Sequence, residues 1–159
     1  MLERPRCRPR PNPNRSQRAK GNMTRAAIKK KTKSATKKKI LIVEDDTDVR
    51  EILSRVLRTA GYDVQEAGHA LGGVCAMVRA GADLVLTDIN MPIMDGFGLV
   101  RELKAHEDTR RVPVVAVTGF DTPEHRAAAL RAGCVGFITK PINTIEFLSQ
   151  VAEFLRAEA

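Results

Sequence analysis

Asp88 stands at the end of an apolar run, where a buried strand would deliver one carboxylate to the edge of the protein. Residues 84–86 are Leu, Val and Leu, and a proline-containing loop with a second carboxylate at Asp95 follows. A carboxylate at the tip of a strand is a candidate nucleophile or metal ligand. Which chemistry it serves depends on the other side chains that the fold brings to the same edge.

Other polar side chains also stand where apolar runs end. They are Glu44, Asp45, Asp46, Thr118 and Lys140. Carboxylates from two strands repel one another unless a cation lies among them, and hard oxygen ligands favour Mg²⁺. A carboxylate beside Mg²⁺ is able to attack a phosphoryl donor and become an aspartyl phosphate. An ammonium group and a hydroxyl then stabilise the phosphoryl oxygens. The pattern therefore predicts Asp88 as the nucleophile.

Five apolar runs alternate with five segments of helical periodicity from residue 39 to residue 157. The runs predict strands at 40–43, 62–67, 83–88, 112–118 and 134–139. The periodic segments predict helices at about 49–57, 69–80, 97–107, 122–132 and 143–157. Continuous apolar runs are typical of strands buried on both faces, whereas residues 62–67 alternate as a strand near the sheet edge does. The alternation predicts one five-stranded parallel sheet with helices on both faces. Ligands of such sheets bind beyond the carboxyl ends of the strands.

Four segments of the chain resemble the receiver domain of the response-regulator family, which is the CheY-like domain of two-component signalling. The segments are ILIVEDD (40–46), DLVLTDINMPIMDGFG (83–98), VPVVAVTG (112–119) and GFITKP (136–141). They stand in the order and at the spacing of that family, and the resemblance runs from about Lys38 to Leu155. It implies a flavodoxin-like (βα)5 fold for a receiver domain at residues 39–157.

The resemblance also implies a metal site and a phosphoacceptor. By it, Asp88 accepts the phosphoryl group, and Asp45 and Asp46 are the acidic pair that positions Mg²⁺. Asn90, two residues after the acceptor, is expected to lend its backbone carbonyl to the metal. Mg²⁺ is therefore the expected cofactor, bound by Asp45, Asp46, Asp88 and the Asn90 carbonyl.

Four further positions match the family's phosphate-contacting and switch residues. Thr118 and Lys140 match the hydroxyl and the ammonium group that contact the phosphoryl group. Phe137 falls at the position of the switch aromatic residue. Pro141 matches the proline of the family's cis Lys-Pro bond. The resemblance thus implies that phosphorylation acts through Thr118 and Phe137.

The same residues argue against two other classes of protein. A phosphatase of the haloacid dehalogenase type would place a second aspartate two residues after its nucleophile, and this chain has Asn90 there. A nucleotide-binding Rossmann domain needs a glycine-rich turn after its first strand, where this chain has residues Glu44 to Asp46. The resemblance to the receiver family instead implies an autocatalytic phosphoacceptor with self-dephosphorylation and not a classical enzyme.

The resemblance implies partner proteins on both sides of the signal. The phosphoryl donor would be a sensor histidine kinase or a phosphotransfer protein, and a downstream protein would bind the face formed by the fourth helix, fifth strand and fifth helix. The sequence stops at Ala159, directly after the fifth predicted helix. We therefore expect a stand-alone response regulator without a DNA-binding domain.

The first 38 residues differ in composition from the rest and are named here the basic N-terminal segment. Residues 1–39 hold 15 lysine and arginine residues and one glutamate, a formal charge of +14, whereas residues 40–159 carry −6. With few apolar residues to bury, residues 1–38 are predicted to be disordered. They are either an effector arm for nucleic acid or an anionic surface, or a solvated leader without such a role. We favour the leader because no aromatic residue is interleaved for stacking on bases.

The cysteines and the hydropathy of the sequence indicate where in the cell the protein is located. Cys7, Cys75 and Cys134 are odd in number and widely spaced, which is typical neither of a disulfide framework nor of a metal site. No apolar stretch approaches the roughly 18 residues of a membrane span, and the N-terminus lacks the apolar core of a secretory signal. A reduced, cytoplasmic protein is expected.

Overall fold

The computed structural model describes residues 36–158, in which five strands alternate with five helices. The strands are β1 (Lys39–Val43), β2 (Asp63–Ala67), β3 (Leu84–Asp88), β4 (Val114–Thr118) and β5 (Gly136–Thr139). The helices are α1 (Thr47–Thr59), α2 (Ala70–Ala80), α3 (Gly96–Ala105), α4 (Pro123–Ala132) and α5 (Thr144–Ala157). Residues 1–35 lie outside the described residues, so the disorder expected of the basic N-terminal segment stays a prediction.

All five strands run parallel in one sheet of order β2-β1-β3-β4-β5. This arrangement confirms the predicted fold, and β2 lies at the sheet edge, as its alternating pattern indicated. The register pairs Asp88 with Val117 and Thr118 with Thr139. The carboxyl ends of β3, β4 and β5 therefore meet at one edge. The strand order reverses between β1 and β3, where ligands bind in sheets of this kind.

The core consists of two apolar layers, one on each face of the sheet. Successive side chains of β1 alternate between the layers, so Leu41 and Val43 join one while Ile40 and Ile42 join the other. The first layer also takes side chains from α2, α3 and α4, and the second from α1 and α5. Because β1, β3 and β4 lie between two layers, almost every residue in them is buried.

Polar residues at the helix N-termini fix where three of the helices begin. The Asp46 carboxylate accepts from the backbone N–H groups of the first turn of α1, and Asn143 does the same at α5. Thr122 caps α4, with Pro123 in its first turn. Each cap satisfies a backbone N–H that has no partner inside its helix. These caps place the loops that follow β1, β4 and β5 at the edge of the sheet.

Two strands, β4 and β5, begin two residues later than the apolar pattern predicts. β5 starts at Gly136 and not at residue 134, because the Cys134 N–H donates to the Ala129 carbonyl at the end of α4. β4 starts at Val114 and not at residue 112, because the Val112 N–H donates to Thr109. In both places the preceding turn binds the backbone groups that a longer strand would need.

Within residues 36–158, no helix has both the length and the apolar character needed to cross a membrane.

The two cysteines of the domain are expected to differ strongly in reactivity. Cys75 is exposed, whereas Cys134 is buried, and burial raises the pKa of its thiol to about 11. Since the thiolate is the reactive form, roughly one Cys134 in a thousand is ionised at pH 8. In a Cys7→Ser variant, a thiol reagent should label Cys75 rapidly and Cys134 only in urea, as read by peptide mass. Equal labelling rates in the folded protein would contradict this burial.

Candidate functional site

Asp88 is the last residue of β3 and delivers its carboxylate to the carboxyl edge of the sheet. The residue is only 7% exposed. Its Oδ1 accepts from the backbone N–H of Asn90 at 3.2 Å, and its Oδ2 lies 3.7 Å from the Lys140 ammonium nitrogen. The carboxylate is thus held between a backbone donor and a cation, which fixes its position. Its orientation is set by the loop as well as by the strand.

Three carboxylates converge at this edge: those of Glu44, Asp45 and Asp88. One oxygen from each lies within 4.8 Å of the other two. Glu44 and Asp88 are buried, while Asp45 is exposed. Carboxylate oxygens are the ligands that Mg²⁺ prefers, and Mg²⁺ commonly uses only one or two of them and keeps several waters. The donor set and its partly open side therefore fit a magnesium ion.

Asp46 is placed differently from the expectation drawn from the sequence. Its Oδ1 accepts from the N–H groups of Asp48 and Val49 at 2.9 and 3.1 Å, as the N-cap of α1. The side chain is therefore committed to the helix and lies outside the carboxylate cluster. Glu44 is not among the metal ligands expected from the sequence. Its carboxylate nevertheless lies in the cluster with those of Asp45 and Asp88, in the place expected of Asp46.

Glu44 is a buried carboxylate that is paired with a cation. Its side chain is 2% exposed, and its Oε2 accepts from the Lys140 ammonium group at 2.8 Å. Burial raises the pKa of the Glu44 carboxyl; the Lys140 hydrogen bond offsets part of that rise, and the charge of Asp88 adds to it. A buried carboxylate without a partner would be strongly destabilising, so Lys140 compensates Glu44 as well as facing Asp88.

Lys140 follows β5 directly and reaches both buried carboxylates. Burial lowers the pKa of its ammonium group, but the hydrogen bond to Glu44 and the charges of Asp88 and Glu44 outweigh burial and leave that pKa raised. Lys140 is therefore a firmly charged cation at the site. The Lys140–Pro141 peptide bond is cis, which confirms the expectation for Pro141.

Thr118 and Phe137 lie on neighbouring strands beside this cluster. Thr118 ends β4 and is 1% exposed, and its Oγ1 accepts from the Phe120 N–H at 3.2 Å. Phe137 is half-buried on β5, where it pairs with Ala116 and packs against the layer that includes α4. The structure thus places the hydroxyl next to the strand that carries Asp88, and the ring one strand further along.

Comparison with known proteins agrees with this geometry. Residues 40–152 match the response regulator receiver domain. The DNA-binding dual master transcriptional regulator RpaA of Synechocystis is 32% identical over 118 residues, which are 74% of this chain and 49% of RpaA. The chain therefore spans about half the length of that curated relative.

Two solved structures resemble the whole domain. The chemotaxis protein CheY4 of Vibrio cholerae has a TM-score of 0.72 at 27% identity, covering 74% of this chain and 98% of CheY4. The receiver domain of a sensor histidine kinase from Pseudomonas aeruginosa has a TM-score of 0.70 at 29% identity, covering 75% of this chain and 98% of that one. The latter structure has a magnesium ion coordinated in its active-site cleft.

Receiver domains bind Mg²⁺ in their active site and interact with histidine kinases or phosphotransfer proteins. In this chain the acidic cluster of Glu44, Asp45 and Asp88 lies at the carboxyl edge of the sheet and offers oxygen ligands to such an ion. With its five-stranded parallel sheet and its match over residues 40–152, this chain belongs to the receiver domain family of two-component response regulators.

Proposed function

We propose that Asp88 accepts a phosphoryl group, in a Mg²⁺-dependent reaction, from a histidine kinase or a phosphotransfer protein. The observation that carries this proposal is the convergence of Asp88, Glu44, Asp45 and Lys140 at one edge of the sheet. A nucleophile, a set of metal ligands and a fixed cation are the components that phosphoryl transfer to a carboxylate requires. Carboxylates placed only to cap helices would not need a lysine paired with two of them.

The metal ligands in this proposal are the carboxylates of Glu44, Asp45 and Asp88 and the backbone carbonyl of Asn90. Asp46 is left out because its carboxylate caps α1. When bound, Mg²⁺ neutralises charge on the phosphoryl oxygens and on the acidic cluster. Lys140 would exchange some of its contact with Glu44 for contact with the phosphoryl group as the metal takes over part of the carboxylate charge.

The transfer step follows from the position of Asp88. One carboxylate oxygen attacks phosphorus, the bond from phosphorus to the donor's nitrogen or oxygen breaks, and the electron pair of that bond leaves with the donor. The attacking group is a carboxylate oxygen, so the step does not need the general base that a hydroxyl nucleophile needs. Lys140 and the Thr118 hydroxyl then bind phosphoryl oxygens. Hydrolysis of the resulting acyl phosphate ends the signal, so the protein acts as a transient acceptor and not as a turnover enzyme.

The output step in this proposal begins at Thr118. A phosphoryl group on Asp88 supplies new acceptor oxygens at the strand next to Thr118. If the hydroxyl turns toward them, it gives up its contact with the Phe120 N–H, and Phe137 moves into the space released. A cleft of about 430 Å³ runs from Lys140 past Phe137 to α5 along the edge of the sheet that β5 forms. A partner protein that binds α4, β5 and α5 would therefore distinguish the two states.

We further propose that the protein acts in the cytoplasm as a stand-alone receiver that signals through protein contacts. The coverage of 98% of CheY4 supports this, since one receiver domain accounts for that whole chain. The alternative is that the basic N-terminal segment serves as an effector arm for nucleic acid or an anionic surface, since residues 1–39 carry a formal charge of +14. Binding of duplex DNA by the full chain, lost on removal of residues 1–35, would favour the arm.

The test of phosphoryl acceptance compares the parent protein with Asp88→Asn. Incubated with a small acyl-phosphate donor and Mg²⁺, the parent should gain the mass of one phosphoryl group, and the variant should gain none. Added EDTA should abolish the gain in the parent. A modification that persists in Asp88→Asn, or that forms equally well in EDTA, would rule out this assignment.

A further inference from the structure

The Phe137 ring is covered by Arg126, which is itself bound to Asp121, and no motif in the sequence marks either charged residue. The Arg126 guanidinium of α4 lies over the ring, with its carbon 5.1 Å from the ring centroid. The same guanidinium donates to the carboxylate of Asp121, which stands in the loop between β4 and α4. The hydrogen bond from Arg126 lowers the pKa of the Asp121 carboxyl, with a further contribution from Thr139. The ring is therefore covered by a cation that is itself anchored.

Asp121, which binds the Arg126 guanidinium, lies three residues after Thr118 in the same short loop. The loop folds on Thr118, whose Oγ1 accepts from the Phe120 N–H at 3.2 Å. On the far side of Asp121, Thr122 caps α4. Displacement of the Thr118 hydroxyl toward Asp88 would break this contact with Phe120, in the loop that also carries Asp121. The guanidinium of Arg126 is thus connected to Thr118 through that loop.

We propose that Asp121 and Arg126 are positioning residues that hold the Phe137 ring against α4 in the unphosphorylated protein. This inference rests on the proposed function, since it concerns the switch that follows phosphoryl acceptance at Asp88. The ring loses its contact with the guanidinium if it turns away, and Asp121 prevents the guanidinium from following. Movement of Thr118 shifts Asp121 and releases both. The pair therefore sets how easily the protein leaves its resting state.

The size of the effect follows from the kind of contact. Arg126 and Asp121 are about half exposed, so their ion pair is screened and contributes little by itself. A cation over an aromatic ring at an exposed site stabilises by an amount that corresponds to about a two- to fivefold change in an equilibrium constant. Removing the cation should raise the population of the activated conformation by that factor. Ligands that bind only this conformation should bind more tightly to the same extent.

The experiment uses the full chain with Mg²⁺ and beryllofluoride, which stands in for the phosphoryl group on Asp88. Variants are Arg126→Met, Asp121→Asn and a matched control, Arg131→Met, which removes an exposed arginine from the last turn of the same helix. The measurements are the half-saturating beryllofluoride concentration and the NMR signals of the Phe137 ring. Thermal midpoints of all variants report whether each one folds.

Arg126→Met should lower the half-saturating concentration about two- to fivefold, and Asp121→Asn should act in the same direction. Without ligand, Arg126→Met should move the Phe137 signals part of the way toward their bound positions, which a merely loosened helix would not do. Arg131→Met should match the parent in both measurements. Equal half-saturation and equal ring signals in Arg126→Met and the parent would overturn the inference. A parent that fails to bind beryllofluoride, or an Asp88→Asn variant that binds it equally, would overturn the proposed function instead.

Discussion

Asp45→Ala is expected to slow phosphoryl acceptance at Asp88 by about 100-fold or more, whereas Asp46→Ala should leave the rate nearly unchanged. The two residues are neighbours with the same side chain, but the structure gives them different partners. The Asp45 carboxylate lies within 4.8 Å of those of Glu44 and Asp88, and that of Asp46 caps α1. Because Asp45 is exposed, its removal should weaken Mg²⁺ binding without a large loss of stability.

Asp46→Ala serves as the matched control, because it should lower the stability of the domain without slowing phosphorylation. Loss of an N-cap that satisfies two backbone N–H groups costs about 1 kcal/mol of the free energy of unfolding. The measurements are the phosphorylation rate over a range of Mg²⁺ concentrations and the midpoint of urea unfolding. If Asp46→Ala proved to be the variant that loses its response to Mg²⁺, the choice of Glu44 and Asp45 as metal ligands in place of Asp46 would be incorrect.

Gly96→Ala is expected to destabilise the domain by about 3 kcal/mol and to displace Asp88. A Cβ at position 96 would overlap the backbone carbonyl oxygen of Asp88 and lie 2.8 Å from the Ile89 Cα. These are backbone atoms at the end of β3, so they cannot move aside without disturbing the strand. The Gly96 N–H also donates to the Ile89 carbonyl at 3.0 Å, which keeps the loop closed on the strand.

Gly119→Ala is the matched control for that substitution. A Cβ at position 119 meets nothing within 4 Å, although the residue directly follows Thr118 in the site. Its effect on the free energy of unfolding should stay within about 0.5 kcal/mol. Urea unfolding measures both variants, and phosphorylation rates show whether Asp88 has moved. Equal stability for the two variants would show that the close approach at Gly96 is not a constraint.

The positions of the strand-end residues follow directly from the sequence. Uninterrupted apolar runs before Asp88 and Thr118 predict buried parallel strands, and parallel strands bring their carboxyl ends to one edge. The structure brings Asp88 and Lys140 to within salt-bridge distance by this route. Such an inference needs only the location of each strand end and not the direction of any side chain.

The location of strand ends does not show which of the consecutive carboxylates Glu44, Asp45 and Asp46 join the metal site. Alternation along a strand would put Glu44 and Asp46 on one side and Asp45 on the other. The structure instead brings Glu44 and Asp45 to Asp88 while Asp46 caps α1, because residues 44–46 lie in the loop between β1 and α1 and not in the strand. The sequence offers a signal that favours Asp46 as a cap, because it stands just before a helical pattern with Asp48 in the first turn.

The ion pair of Asp121 and Arg126 could not be predicted from the sequence for a different reason. The two residues are five positions apart across a helix start, outside the spacing at which charges meet within a helix. The stacking of Arg126 on Phe137 depends on how α4 packs over β5, which is a tertiary contact. No local pattern encodes it, so it becomes visible only when the packed domain is known.

The position of the phosphoryl group itself gives the most direct test. Borohydride reduces an aspartyl phosphate to homoserine, and it leaves free carboxylates unchanged. After phosphorylation with Mg²⁺ and reduction, peptide mass mapping should find homoserine at position 88, in place of Asp88, with Asp45, Asp46 and Asp95 intact. The same treatment in EDTA should leave every aspartate unchanged. Homoserine at position 45, 46 or 95, or phosphorylation without any reducible acyl phosphate, would contradict the role of Asp88 as the phosphoacceptor.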